Sequence, residues 1–292
     1  MASQKTIKID VVSDFICAWC YIGHLELLRG ISLARSRGLP VEFVIQYHPF
    51  VVNPSLPQDR PIPKVQYFLR KFGSLEKAHE VLEMVRLRAK EEGLIISFGG
   101  CVRQTTRAHR LLQKAYFYGG QRAQCAVLRR LFRAFFEDEQ DIGDPRTLAK
   151  IASSQAYPFF SPNKAGSNGL PEITAEKLGA EAEFDAHADD DAAAIFDSEE
   201  EALAWVEGNE LEKEVRTMAA DAARKGVAGV PFTVIDGRWA VSGCQKPECY
   251  YKIFAKLASS DSCLHSTESN GIQKMCTGES CAAEPPRDSP SL

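Results

Sequence analysis

The stretch Asp14-Phe15-Ile16-Cys17-Ala18-Trp19-Cys20-Tyr21-Ile22-Gly23 constrains this chain more than any other, because of what flanks it. Before it, residues 6–12 ("TIKIDVV") cluster and alternate β-branched side chains and read as a strand. After it, Tyr21, Leu25, Leu28 and Ile31 recur at helical spacing until Gly38-Leu39-Pro40 closes the segment. The two cysteines therefore fall where a strand hands over to a helix. Unpaired amides and the helix dipole favour negative charge there, and a thiol attacks as its thiolate. Cys20, one turn inside, can close a disulfide onto Cys17, which makes an attacking and a resolving sulfur for thiol–disulfide exchange. A zinc site would need two further ligands, for which Cys244 with Cys249, or His24, are at hand. Structural zinc pairs sit on knuckles and loops, so a strand-to-helix junction suits them poorly. An inert pair is the bland alternative.

Residues 41–47 ("VEFVIQY") read as a second strand, and the intervening helix has the length a parallel crossover needs. From Pro61 to about Gln155 the periodicity turns helical, with apolar stripes in "VQYFLRKF", "LEKAHEVLEMVRLRAK", "TTRAHRLLQKAYFY" and "QCAVLRRLFRAFF". Asp144 and Pro145 open a further helix as cap and first residue. Residues 158–196 are rich in Gly, Pro, Asn and Asp and read as a flexible acidic excursion. Helices resume at "DSEEEALAWV" and "NELEKEVRTMAADAARKG", the second ended by Gly226. A hairpin then turns at Asp236-Gly237 between strands at 231–235 and 238–242, and "KPECYYKIFAKLA" is a final helix. Residues 260–292 read as a disordered tail.

The net charge of −4 argues against a generic nucleic-acid partner. Twelve carboxylates and one Lys lie between Glu172 and Glu201, so the rest of the chain is mildly basic; its Lys and Arg fall on helical repeats and read as solvated faces. The leader "MASQKT" has no apolar core, and no apolar run approaches the ~18–20 residues of a membrane helix. A reducing cytoplasmic setting is the expectation, and there nine cysteines point to catalytic or metal-binding use rather than a disulfide framework.

"DFICAWCYIG" resembles the D-x-x-C-P-W-C-Y-x-G signature of the DsbA-like branch of the thioredoxin superfamily, and of its FrnE-like members in particular. "HPFVVNPSLP" is similar to that branch's P-F-x-L-N-P segment, and "TTRAHRLL" to N-T-x-x-A-H-R-L. "FRAFFEDEQDIGD" resembles its helix-and-turn segment, and "GVAGVPFTVIDGRWAVSGCQKPE" its G-V-x-G-V-P ending. The likeness is collinear from about residue 6 to 258.

It implies an α/β, thioredoxin-like fold with a large all-helical insertion domain. Residues 1–60 and 208–259 would be the two parts of the thioredoxin-like domain, and residues 61–207 the insertion. It also implies a thiol–disulfide oxidoreductase or isomerase acting on protein or small-molecule thiols and disulfides, with Cys17 and Cys20 as the redox pair and a cis Val230–Pro231 bond. Phe15, Trp19, Val230 and Pro231 would line a mostly apolar groove. His109 faces that groove or is a structural histidine. Relatives with the same insertion include glutathione-dependent isomerases, such as 2-hydroxychromene-2-carboxylate isomerase, and kappa-class glutathione transferases. An alternative is therefore a glutathione-dependent enzyme acting on a small molecule such as a polyketide intermediate. No metal or bound cofactor is expected, with glutathione a candidate co-substrate.

The departures are specific to this chain. Ala18 replaces the Pro between the cysteines, and Thr105 the Asn of N-T-x-x-A-H-R. Cys244 and Cys249 replace an Ala and an apolar residue. A hairpin that starts at Pro231 must return its second strand to the same edge, which places Cys244 beside the groove. Cys244 and Cys249 are then either a second redox pair or, for Cys249, a small core hydrophobe. Cys125 reads as core and Cys101 as a loop thiol. Cys263, Cys276 and Cys281 fall in the tail.

Overall fold

The computed structural model describes residues 5–155 and 194–259. Most of the acidic excursion and the whole tail with its three cysteines lie outside the described residues. Strand β1 (Lys5–Ser13), helix α1 (Ala18–Ser36) and strand β2 (Val41–Pro49) form the expected crossover, with β1 and β2 parallel. A second block follows: β3 (Ile62–Pro63), α2 (Lys64–Phe72), α3 (Leu75–Glu91), β4 (Cys101–Val102), α4 (Thr106–Phe136), α5 (Pro145–Ser153) and α6 (Glu199–Glu207). Then come α7 (Glu212–Arg224), β5 (Phe232–Ile235), β6 (Trp239–Ser242) and α8 (Pro247–Ser259). The main sheet has the order β2-β1-β5-β6, so it joins strands from both ends of the sequence around the intervening block.

Two expectations need correction. The inserted block is not all-helical, because β3 and β4 form an antiparallel pair that ties its entry to the turn before α4. Two-residue strands carry too little periodicity to be read from sequence. The acidic excursion ends before residue 196: Ile195 and Phe196 are buried, the Ile195 amide donates to the Ala152 carbonyl at 2.7 Å, and Phe196 packs on Trp205. Their apolar bulk outweighs the acidic residues that precede them.

The two helical stripes expected between 105 and 136 share one span, α4, broken at Gly119 and Gly120, whose backbone leaves the helical region; Gly120 takes φ 61°. The C-terminal half of α4 carries Phe132 and Phe136 against Tyr21, which stacks on Phe132 at 4.9 Å. The Tyr21 hydroxyl donates to Glu137 at 2.6 Å. These contacts fasten the first turns of α1 to the inserted block.

Strand β2 is an edge of the main sheet, and its outer backbone groups need partners. Glutamines of α4 supply them. Gln121 accepts from the Ile45 amide and Gln124 from the Tyr47 amide, each at 2.8 Å. Gln113 and Gln124 both donate to the Tyr47 carbonyl at 2.9 Å. Side chains here do the work of a fifth strand.

On the face shared by α1 and α8, close approach depends on Gly30. A Cβ placed there would lie 2.7 Å from Tyr250 Cβ and 3.2 Å from the Pro247 carbonyl oxygen. Gly30→Ala should destabilise the fold by about 1–3 kcal/mol through overpacking, read as a lower urea midpoint with an unchanged slope.

Candidate active site

Ser13 ends β1, and Asp14 begins a turn that delivers Cys17 as the residue capping α1, in extended geometry (φ −99°, ψ 107°). The Cys20 amide donates to the Cys17 carbonyl at 3.0 Å, so Cys20 is set one turn into the helix. Both are free, buried thiols. Across the site the Val230–Pro231 peptide bond is cis, and the Cys17 thiol donates to the Val230 carbonyl at 3.5 Å. Residues 213 positions apart in sequence thus meet at one sulfur. Burial pushes the Cys20 thiol well above the ordinary cysteine range and the Cys17 sulfur adds to this, while the Asp14 backbone and Ser13 hydroxyl oppose it.

The expected groove residues separate into two sets. Trp19 is half-buried beside the cysteines, and Val230 and Pro231 border Cys17. Phe15 and His109 lie behind the site. Phe15 is buried, 4.7 Å from the His109 ring and 5.6 Å from that of Phe132. Its amide donates to the Asp14 carboxylate at 2.8 Å. His109 takes the structural alternative. Its Nε2–H is shared between the Phe50 carbonyl at 2.9 Å and Asp14 Oδ1 at 3.2 Å.

Asp14 itself escaped the sequence reading. Wholly buried, its carboxyl group accepts from the Phe15 amide at 2.8 Å, the Val52 amide at 2.7 Å and His109. One side chain therefore joins the cysteine turn, the segment after β2 and helix α4. Its fixed distance of three residues before Cys17 was the available signal. Helix α2 was expected as a helix, but not as a neighbour of the cysteines. Burial pushes the Tyr67 hydroxyl up to about 12, with Asp14 and Cys17 adding to the shift and Asn53 opposing it. Burial lowers Lys71, and Cys17 and Asp14 counter that. Tyr67 and Lys71, four residues apart on α2, thus lie within electrostatic reach of Cys17 and Asp14, though no motif marks them.

Cys244 lies where the hairpin argument places it. The Gly243 amide donates to the Pro231 carbonyl at 2.8 Å. A Cβ on Gly23 would stand 3.0 Å from Pro231 Cγ and 3.9 Å from the Cys244 Cα. Burial pushes the Cys244 thiol up to about 12; Arg88 opposes this, and Glu92 and Cys17 add to it. Cys249 is buried in the first turn of α8, its sulfur 4.0 Å from Gln245 Oε1. Neither is in a disulfide.

The profile of the DSBA-like thioredoxin domain matches residues 8–156. A curated relative, the uncharacterized protein YwbO of Bacillus subtilis, is 27% identical over 150 residues, which are 50% of this chain. The chain spans 65% of that relative's length. A probable DsbA oxidoreductase from Streptomyces coelicolor shares the fold with a TM-score of 0.64 at 23% identity, over 95% of this chain and 99% of the other. A putative protein disulfide isomerase from Nitrosomonas europaea gives 0.52 at 13% identity, over 87% and 97%. Among the described residues no helix is long and apolar enough to cross a membrane.

Proposed function

Because the chain belongs to the DSBA-like thioredoxin domain family, we propose that it is a thiol–disulfide oxidoreductase working through Cys17 and Cys20. The observation that carries this reading is the placement of Cys17: it caps α1, faces the Val230 carbonyl and has Cys20 one turn away. The Cys17 thiolate attacks a substrate disulfide, and the electron pair of the broken bond leaves on one substrate sulfur. Cys20 gives its proton to that departing sulfur and attacks Cys17 Sγ. The second substrate thiol leaves, and a Cys17–Cys20 disulfide remains. The substrate gains two electrons and the enzyme pair loses two; the same atoms run the reverse direction. Reduction of the pair by a small thiol such as glutathione completes the cycle. Trp19 and Pro231 offer apolar surface, and the Val230 backbone a partner for an extended substrate.

Cys244 borders this pair and serves as a third thiol, attacking the Cys17–Cys20 disulfide and closing onto Cys249 after a local opening of α8. The test for both steps is a trapping experiment. Cys20→Ser treated with oxidised glutathione should retain one glutathionyl group on Cys17, identified by peptide mass spectrometry, where the parent protein clears it. Cys244→Ser should form and clear the adduct normally but hand its disulfide on more slowly. Absence of any Cys17 adduct removes the exchange reading. Turnover that survives Cys20→Ser yet requires glutathione replaces it with a glutathione-dependent transformation of a small molecule.

A further inference from the structure

A glycine inside a helix weakens it relative to alanine, because its backbone loses more freedom on folding and no side chain packs in return. Helix α1 nevertheless carries Gly23 and Gly30. Seven residues separate them, so they lie on one face about two turns apart. Gly30 admits Tyr250 and Pro247 of α8. Gly23 admits part of the site itself.

A Cβ on Gly23 would stand 3.7 Å from Pro231 Cβ as well as 3.0 Å from Pro231 Cγ. The shorter separation is well inside ordinary carbon–carbon contact, so a methyl group there makes the proline ring give way. The ring has few places to go. The Pro231 carbonyl accepts from the Gly243 amide at 2.8 Å. The next residue, Phe232, enters β5, where it pairs with Val12 of β1 on one side and Ser242 of β6 on the other. The sheet therefore holds the chain after Pro231 from both sides. Val230, just before it, lies outside β5, and its carbonyl is the group 3.5 Å from Cys17 Sγ. Displacement of the ring passes to the Val230 peptide and changes its placement against the sulfur.

We propose that Gly23 is a positioning residue that sets specificity for extended peptide disulfides. Having no side chain, it seats the Pro231 ring against α1, and the seated ring holds the Val230 backbone where a peptide joined to Cys17 can pair with it. The inference rests on the exchange reading above. Cys17 caps α1 six residues before Gly23, so a methyl group at position 23 leaves the attacking sulfur in place. A disulfide that has no peptide backbone takes nothing from Val230 and is indifferent to the change.

The test compares the full chain with Gly23→Ala on two substrates, an aromatic disulfide and an extended peptide disulfide. In Gly23→Ala the aromatic disulfide should form the Cys17 adduct at the parent rate, followed by peptide mass spectrometry. KM for the peptide should rise about three- to tenfold, the contribution of one backbone hydrogen bond. Its kcat should change less than about twofold, the pattern of lost binding rather than lost chemistry. Gly30→Ala is the control. Its Cβ would meet a nearer neighbour, Tyr250 Cβ at 2.7 Å, so it should lose more stability yet keep the parent KM. A folded Gly23→Ala with an unchanged peptide KM overturns the inference alone. Equal losses on both substrates, or the same rise in KM in Gly30→Ala, mark a general effect of overpacking α1 and also overturn it. Failure of Gly23→Ala to fold overturns it too, by making the glycine a requirement of the core. No Cys17 adduct in the parent protein removes the exchange reading and this inference together.

Discussion

Cys17→Ser should abolish thiol–disulfide exchange, lowering the rate of insulin-disulfide reduction by at least about a thousandfold. The size of the effect follows from what is removed. A serine hydroxyl at the same helix terminus ionises far less readily than a thiol, and it forms no bond to sulfur that a neighbouring cysteine can exchange. Cys20→Ser should differ in kind, arresting the reaction after the first bond forms. The melting temperature should change little in either variant, because the thiols make few polar contacts: Cys17 meets the Val230 carbonyl at 3.5 Å. A Cys17→Ser protein that still reduces insulin at a tenth of the parent rate would place the active sulfur elsewhere.

The second large effect is expected at Asp14, and it falls on stability. Asp14→Ala leaves the buried Phe15 and Val52 amides without acceptors and removes one acceptor of the His109 Nε2–H. Each buried unpaired donor costs about 1–3 kcal/mol, so a total near 3–5 kcal/mol is expected, measured by urea denaturation with tryptophan fluorescence. Asp14→Asn keeps one good acceptor oxygen and should lose about half as much. Exchange activity should fall in Asp14→Ala even well below the denaturation midpoint, since the turn that presents Cys17 and the segment carrying Val52 lose their common anchor. Full stability in Asp14→Ala would show that the turn is held by packing alone.

Much of this architecture was legible in the chain itself, for identifiable reasons. The β1–α1–β2 crossover, the Asp144 cap and the hairpin at Asp236-Gly237 are local features. Asp144 accepts from the Thr147 amide at 3.0 Å, and Asp236 and Gly237 adopt the positive φ of 54° and 66° that such a turn demands. The meeting of Cys17 with Val230 was implied by the family resemblance, and the nearness of Cys244 followed from it by topology, because a hairpin starting at Pro231 must return to the same edge. The contacts of Phe15 with His109 and Phe132 were not legible, because they depend on a turn held by Asp14, whose partners come from three separate segments.

What the amino-acid order determined by itself was therefore whatever rests on spacing and backbone preference: the strand-to-helix junction under Cys17, the turn of the hairpin, and the helix starts. What the tertiary structure alone decided was which distant groups share a low-dielectric interior. The bonds of Asp14 to Val52 and His109, the α4 glutamines on the edge of β2, and the His24–Tyr47 contact join residues 23 to 95 positions apart. No local pattern encodes such pairs. Each forms because packing removes water from polar groups that must then find one another.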